Sequence, residues 1–246
     1  MALSAVGRGM VVLIATVIGV TLTANLGAWQ LRRAAQKVAL QSSLDSRSAM
    51  PALATVDVAT TRLAVEAQHH RPVRLRGRWV GAATVFLDNR QMDARVGFYV
   101  VTPLLLAGRS DAILVQRGWV PRDLLDRTRL PSVATPAGDV EVEVAGHIAP
   151  PPARLYEFAG TASGVIRQNL DLAAYSAELG LKLVPLSMQQ DDSSATLGDG
   201  LLRRWPRPSL DVQKHYGYAF QWFALCALMA GLYVWFQLVR PRLRRR

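Results

Sequence analysis

The sequence predicts a membrane protein in which two transmembrane α-helices flank a mostly-β (α+β, barrel-like) extracytoplasmic domain. Three observations predict this class. Residues 9–31 and 216–239 contain no charged side chain, and the residues between these runs include short stretches that alternate apolar with polar side chains. Each uncharged run covers the roughly 20 residues that a helix needs to cross a hydrocarbon core. Alternation with a period of two is typical of half-buried strands.

These patterns divide the chain into five parts. We expect a cytoplasmic leader at 1–9, a first transmembrane helix at 10–29, an extracytoplasmic (periplasmic) mostly-β domain at 30–214, a second transmembrane helix at 215–239 and an arginine-rich cytoplasmic tail at 240–246. Two alternatives stay open. The first span could be a cleaved signal peptide, and the second could be a buried core helix.

The charge distribution predicts the orientation. The formal net charge is +11, and five arginines follow the second span. Because basic segments next to a span stay in the cytoplasm, we expect both termini there and the central domain in the periplasm. Arg32, Arg33 and Lys37 follow the first span and favour the opposite orientation, but the tail outnumbers them. The central part carries only +5, which is not the signature of a nucleic-acid-binding protein.

Within the central domain the elements follow in order. The first helix is expected to continue to about Ser46, because alanine, leucine, glutamine, arginine and lysine dominate there. A short helical segment is predicted within 51–70, and a second short helix at 170–179, with Asp171 near its start and Gly180 as its C-terminal stop. Strands are predicted at 73–79, 85–87, 96–106, 112–120, 140–148 and 183–188, and a mobile polar loop at 189–200. The first of these strands has a basic face formed by Arg74, Arg76 and Arg78.

Signatures of catalysis are missing from the sequence. It contains no Gly-x-Ser-x-Gly, His-Glu-x-x-His, phosphate-binding or dinucleotide-binding motif. Cys226 is the only cysteine, so no intrachain disulfide can form. His69 and His70 lack the spacing of two metal ligands on one helical face, and with His147 they are expected to be surface or strand-edge histidines. We therefore expect no enzyme activity.

His215 stands out by its position. It lies at the entrance of the second span, where an ionisable residue is a functional candidate. Helical periodicity places Tyr218, Trp222, Cys226 and Met229 on its face. One imidazole with aromatic and soft apolar neighbours is the chemistry that a haem requires. The alternative is a hydrated histidine in an ordinary interfacial belt of tyrosine and tryptophan.

Five stretches stand in order between the two terminal spans: 26–33 (LGAWQLRR), 71–77 (RPVRLRG), 100–104 (VVTPL), 114–122 (LVQRGWVPR) and 214–223 (KHYGYAFQWF). Together they resemble the surfeit locus protein one (Shy-type) family of cytochrome c oxidase assembly factors. The resemblance extends over about residues 10 to 240. Gly118, within the fourth stretch, is expected to have a role in the fold.

The resemblance implies an assembly factor of the cell inner (plasma) membrane that binds haem a at the outer membrane face. His215 would be the axial ligand of the haem iron, with Trp222 as support and Tyr218 beside them. The implied partners are a haem a-synthesising membrane enzyme, the large haem-bearing subunit of cytochrome c oxidase and the lipid bilayer. A haem-free scaffold that clamps an oxidase assembly intermediate is the alternative. An enzyme of haem or lipid metabolism ranks last, since no nucleophile, acid pair or metal cluster is visible.

Overall fold

The structure, a computed structural model, describes residues 5–126, 128–156, 164–192, 198–206 and 211–244. These residues divide into a helical unit, drawn from 1–43 and 208–246, and a sheet unit, drawn from 44–207. The predicted fold class is confirmed, because apolar terminal helices flank a mostly-sheet domain. Part of the predicted loop at 189–200, and the last two arginines of the tail, lie outside the described residues.

The predicted elements follow one another in the order that the sequence predicts. The helices are α1 (Ala5–Ser48), α2 (Arg62–Gln68), α3 (Leu172–Leu179), α4 (Val212–Tyr233) and α5 (Arg240–Leu243), with a π-helical segment at Val234–Val239 and 3-10 turns at Thr55–Asp57 and Gly81–Ala83. The strands are β1 (Pro72–Trp79), β2 (Val85–Met92), β3 (Arg95–Leu106), β4 (Ala112–Pro121), β5 (Glu141–Ala149), β6 (Ile166–Arg167) and β7 (Leu183–Gln190).

The helical unit contains both candidate membrane spans. Each of its long helices includes an 18-residue window that is apolar enough to cross a bilayer. α1 continues unbroken well past its uncharged run to Ser48, as expected from the helix-forming residues there. α4 passes through the π-helical segment into α5, so the helical path extends to Leu243.

The seven strands form one sheet in the order β1-β5-β7-β4-β3-β2-β6. An additional antiparallel pairing of β1 with β3 closes five of these strands into a ring. Gly77 lies where β1 meets both β5 and β3, opposite Val142 and Leu106. A Cβ atom at Gly77 would lie 2.2 Å from the carbonyl oxygen of Leu105. Glycine therefore permits the close backbone approach that closes the ring.

The main core fills this ring. All five ring strands contribute to one cluster of buried side chains, which includes Leu75, Trp79, Leu104, Ile113, Val144, Ile148 and Leu186. A second cluster joins the opposite face of β3 and β4 to α3, where Tyr175 is 2 % exposed and donates its hydroxyl to the carbonyl of Ala83. Burial raises the pKa of Tyr175 to about 12. With a core on each face, β4 is buried along all but its last residue.

The predicted ends of α3 are confirmed. Asp171 accepts a hydrogen bond from the backbone N–H of Ala174, as an N-cap residue does. Gly180 closes the helix in the left-handed conformation, with φ of 60°.

Two details of the sheet differ from the prediction. A strand ending at Leu87 is wrong, because β2 continues to Met92 across an irregularity between Leu87 and Arg90. Asn89 takes a positive φ of 59° there, so polar turn-like residues form a bulge rather than a strand end. The two-residue strand β6, which pairs in parallel with β2, is too short to show any periodicity and was not predicted.

The expected fold role of Gly118 has a physical basis. Arg117 and Gly118 lie at an irregularity in the pairing of β4 with β3, and Trp119 forms an antiparallel bridge with Leu202. A Cβ atom at Gly118 would lie 2.7 Å from the Cβ of Leu201. Any side chain at residue 118 would therefore push the paired segment at 201–202 away from β4.

We accordingly expect Gly118→Ala to lower the free energy of unfolding by about 1–3 kcal/mol, the usual cost of overpacking a core. Chemical denaturation in detergent, followed by tryptophan fluorescence, measures this change. Gly138→Ala is the matched control, because its new Cβ would have its nearest contact at an ordinary 3.5 Å. Equal stability of the two variants would contradict this account.

Candidate functional site

The helical unit is held together by close packing of α1 against α4. Gly27 of α1 faces Phe223 of α4, and a Cβ atom at Gly27 would lie 2.8 Å from the phenyl ring. About two turns before Gly27, Gly19 faces the sulfur of Met229, which would lie 3.1 Å from a Cβ atom added at Gly19. Small residues spaced by four or eight along a helix allow two helices to approach closely in a membrane. We call this contact the helix seam.

Polar groups within the helix seam have partners. Thr23 is 5 % exposed and donates its hydroxyl to the carbonyl of Gly19, 2.8 Å away in the same helix. Cys226 of α4 places its Sγ 3.6 Å from the carbonyl oxygen of Val20 in α1. The only cysteine of the chain is thus partly buried in the helix seam rather than presented to a ligand.

His215 lies at the end of this seam, in the first turn of α4. Its Nδ1 is 2.7 Å from the Oε1 of Gln30 on α1. In this orientation of the Gln30 amide the oxygen faces the ring, and because an amide oxygen only accepts hydrogen bonds, Nδ1 is the donor. Among the described residues, Nε2 of His215 has no hydrogen-bond partner. The imidazole is partly exposed, so it offers one nitrogen that is held by the protein and one that is open.

The other predicted site residues separate into two groups. Trp222, Cys226 and Met229 are partly buried on the same side of α4 as His215, together with Ala219, which is 2 % exposed. The predicted stripe is therefore largely the surface through which α4 packs on α1. Tyr218 is 51 % exposed, and Phe220, a neighbouring aromatic residue of α4, is 75 % exposed. Their rings are available to a flat ligand or to lipid.

The start of α4 is charged. Asp211 precedes the helix in a left-handed conformation with φ of 40°, and Lys214 donates to its carboxylate at 2.8 Å. This hydrogen bond holds the pKa of Asp211 below its usual value, and the charge of Lys37 on α1 adds to the effect. Both helices thus bring polar residues to the end of the helix seam at which His215 lies.

The remaining histidines lie in the sheet unit. His69 and His70 have their ring centroids 6.4 Å apart, and His147 pairs with Gln189 through Nε2 and Oε1 at 2.9 Å. Burial lowers the pKa of His69 and of His70, which keeps both rings neutral to lower pH. Within the described part of the chain, no group of three or more histidine, cysteine, aspartate or glutamate side chains could hold a metal ion.

Arg117 and the basic face of β1 both have partners within the sheet unit. Arg117 is fully buried, with its guanidinium 4.8 Å from the centre of the Trp79 ring and bonded to Thr135. It therefore stabilises the fold and cannot form part of a partner-binding face. On the basic face of β1, Arg74 and Arg76 both contact Glu143, at 3.6 and 3.1 Å, so part of the positive charge is neutralised.

Gln30 is the site residue that sequence reasoning missed. It was visible only as part of the motif at 26–33, among other residues of a span end. A topological signal could have identified it. If both termini lie on one side of a membrane, α1 and α4 run antiparallel, and the end of the first uncharged run meets the start of the second. Residues 30 and 215 are then expected at the same depth.

Comparisons with known proteins extend over nearly the whole chain. The family model described as "SURF1 family" matches residues 17–227. A "SURF1-like protein" of Drosophila melanogaster is 28% identical over 237 residues, covering 90% of this chain and 75% of that protein. "Surfeit locus protein 1" of Rattus norvegicus is 28% identical over 240 residues, covering 87% and 71%. A "SURF1-like protein" of Rickettsia bellii is 28% identical over 213 residues, covering 85% and 83%.

The helix seam generates a prediction about Cys226. Gly27→Val should separate α1 from α4, because the added methyl groups would overlap the ring of Phe223. We expect maleimide to label the thiol of Cys226 faster in this variant than in the wild type, measured as a labelling rate in detergent. Gly9→Val is the control, because a Cβ at Gly9 meets no atom within 4 Å. Equal rates in all three proteins would contradict the packing described.

Proposed function

The chain belongs to the SURF1 family, whose members are in general oxidase assembly factors, and from this premise we propose that it serves the assembly of cytochrome c oxidase. In this proposal it is a two-span membrane protein that receives haem a from a haem a-synthesising membrane enzyme. It holds the haem at the outer membrane face and delivers it to the large haem-bearing subunit of the oxidase. Haem a is cargo here, not a resident cofactor.

The observation that supports the proposal is the hydrogen bonding of the His215 ring. Its Nδ1 is bonded to Gln30, while Nε2 has no hydrogen-bond partner among the described residues. A neutral imidazole with one nitrogen held and the other open is the usual form of a histidine that ligates iron. A single protein ligand also suits a carrier, which must bind its cargo and then release it.

The neighbouring residues fit a flat, largely apolar cargo. The exposed rings of Tyr218 and Phe220 flank the first turns of α4, and Trp222 lies two turns from His215 on the same side. Because Phe223 already fills the helix seam against Gly27, the cargo would lie outside the seam. Trp222 and Tyr218 would then contact the macrocycle, and His215 would supply the bond to iron.

We place the protein in the cell inner (plasma) membrane, with both termini in the cytoplasm and the sheet unit in the periplasm. Two apolar helices of spanning length and the bacterial relatives support a membrane location. Arg240, Arg242 and Arg244 at the end of the helical path support a cytoplasmic C-terminus. This orientation puts the start of α4, and with it His215, at the outer face.

A haem-free scaffold is the second candidate, and one observation favours it. Leu124 and Leu125 are 95 % and 99 % exposed, in a loop just after β4. The carboxylate of Asp123 accepts hydrogen bonds from the backbone N–H groups of Leu125 and Asp126, at 2.8 and 3.1 Å. Two adjacent leucines exposed to water form an apolar patch of the kind that a protein partner covers.

The two candidate functions predict different haem contents for the purified protein. A wild-type protein that co-purifies with the oxidase subunit and lacks haem, and that loses this association on Leu124→Ser with Leu125→Ser, would support the scaffold. A haem-bearing protein whose association is unaffected by those changes would support the carrier.

We expect His215→Ala to remove the haem from protein purified after co-expression with haem a synthesis, because no other described residue offers an equivalent open imidazole at this site. The visible absorption spectrum, normalised to protein, measures the loss. His147→Ala is the matched control, since His147 lies in the sheet unit and pairs with Gln189. Unchanged haem content in the His215 variant would overturn the ligand assignment.

A further inference from the structure

We infer that Gln30 is a positioning residue, which fixes the proton of His215 on Nδ1 and thereby presents Nε2 as the iron ligand. This inference rests on the proposed function, because it assigns a role to Gln30 only if His215 binds haem. The juxtaposition that carries it is between residues 185 positions apart in the chain, on two different helices, with Nδ1 and Oε1 2.7 Å apart.

The tautomer follows from the chemistry of the two atoms. A neutral imidazole carries one proton, on either Nδ1 or Nε2, and the hydrogen bond made by one nitrogen decides which. With the amide oxygen of Gln30 turned toward the ring, a proton on Nε2 would leave the lone pairs of Nδ1 and of Oε1 facing each other at 2.7 Å, where they repel. In this orientation of the amide, Gln30 thus selects Nδ1–H and leaves the lone pair of Nε2 available.

The surroundings of Gln30 fix its position. Ala34 is fully buried one turn further along α1, and Gly27 contacts Phe223 almost one turn before. On α4, Ala219 is 2 % exposed one turn after His215. Close packing on both sides of the pair holds the two backbones together, so the hydrogen bond does not depend on a mobile loop. Interhelical hydrogen bonds of this kind also favour helix pairing in a membrane.

A hydrogen-bond acceptor at Nδ1 also makes the imidazole of His215 a stronger ligand for iron. A histidine whose second nitrogen donates to an acceptor is a more basic ligand, and replacing such acceptors typically weakens metal binding by about 10- to 100-fold. Glutamine is a neutral acceptor and gives a moderate effect. A carboxylate in its place would be a stronger acceptor and could not donate, so it would favour the same tautomer more strongly.

The test uses the full chain in detergent and ferrous haem as the probe. Gln30→Leu should weaken haem affinity by about 10- to 100-fold in an absorbance titration. Gln30→Glu should bind haem with an affinity like that of the wild type. It should also raise the iron–histidine stretching frequency in resonance Raman spectra above the wild-type value. A purely structural role for Gln30 would not shift this frequency upward. The matched controls are Gln36→Leu and Gln36→Glu, since Gln36 is exposed on the same helix and bonds to Arg33.

The outcomes separate the inference from its premise. If His215→Ala abolishes haem binding while both Gln30 variants match the wild type in affinity and frequency, the positioning role is overturned and the proposed function stands. If His215→Ala binds haem as well as the wild type, the proposed function fails first and the positioning role fails with it. Should Gln30→Leu disrupt helix pairing, the frequency of Gln30→Glu decides, and an unchanged or lower value overturns the inference.

Discussion

The candidate site depends on the close approach of the two terminal helices. Gly27 leaves room for the ring of Phe223, and Gly19 leaves room for Met229, so these side chains of α4 pack directly against the backbone of α1. Only at this separation can Gln30 reach His215 at 2.7 Å. The surroundings of His215 are therefore not a property of α4 alone. In the inference drawn above, its proton position is set by a residue 185 positions away in the chain.

The sheet unit depends on other close contacts. They close the small ring of strands and hold the segment that follows β7. Gly77 allows β1 to pair with both neighbours, and Gly118 allows the segment at 201–202 to pair with β4. Arg117, the residue before Gly118, is buried, with Asp199 3.7 Å away and the centre of the Trp79 ring 4.8 Å from its guanidinium. Removing one partner of a buried charge is costly, so this arrangement is a structural constraint.

Much of the fold could be predicted, because its elements leave local signals. The alternating pattern of β1, the uncharged runs and the Asp171 and Gly180 caps all appear in the sequence and in the structure. Three features could not be predicted: the closure of the ring, the parallel pairing of β4 with β7, and the two-residue β6. Strand pairing between residues distant in sequence produces no local periodicity. Likewise, the helical face of His215 was predictable, but its use as the helix seam and the contact with Gln30 were not.

The central claim is that helix pairing holds His215 as an Nδ1–H tautomer with Nε2 open before any haem binds. The most direct measurement is the ¹⁵N chemical shift of both ring nitrogens of His215 in the haem-free protein. With four histidines in the chain, a variant lacking His215 identifies its signals. We predict a protonated Nδ1 and an unprotonated Nε2. A protonated Nε2, or a rapid average of the two tautomers, would contradict the claim.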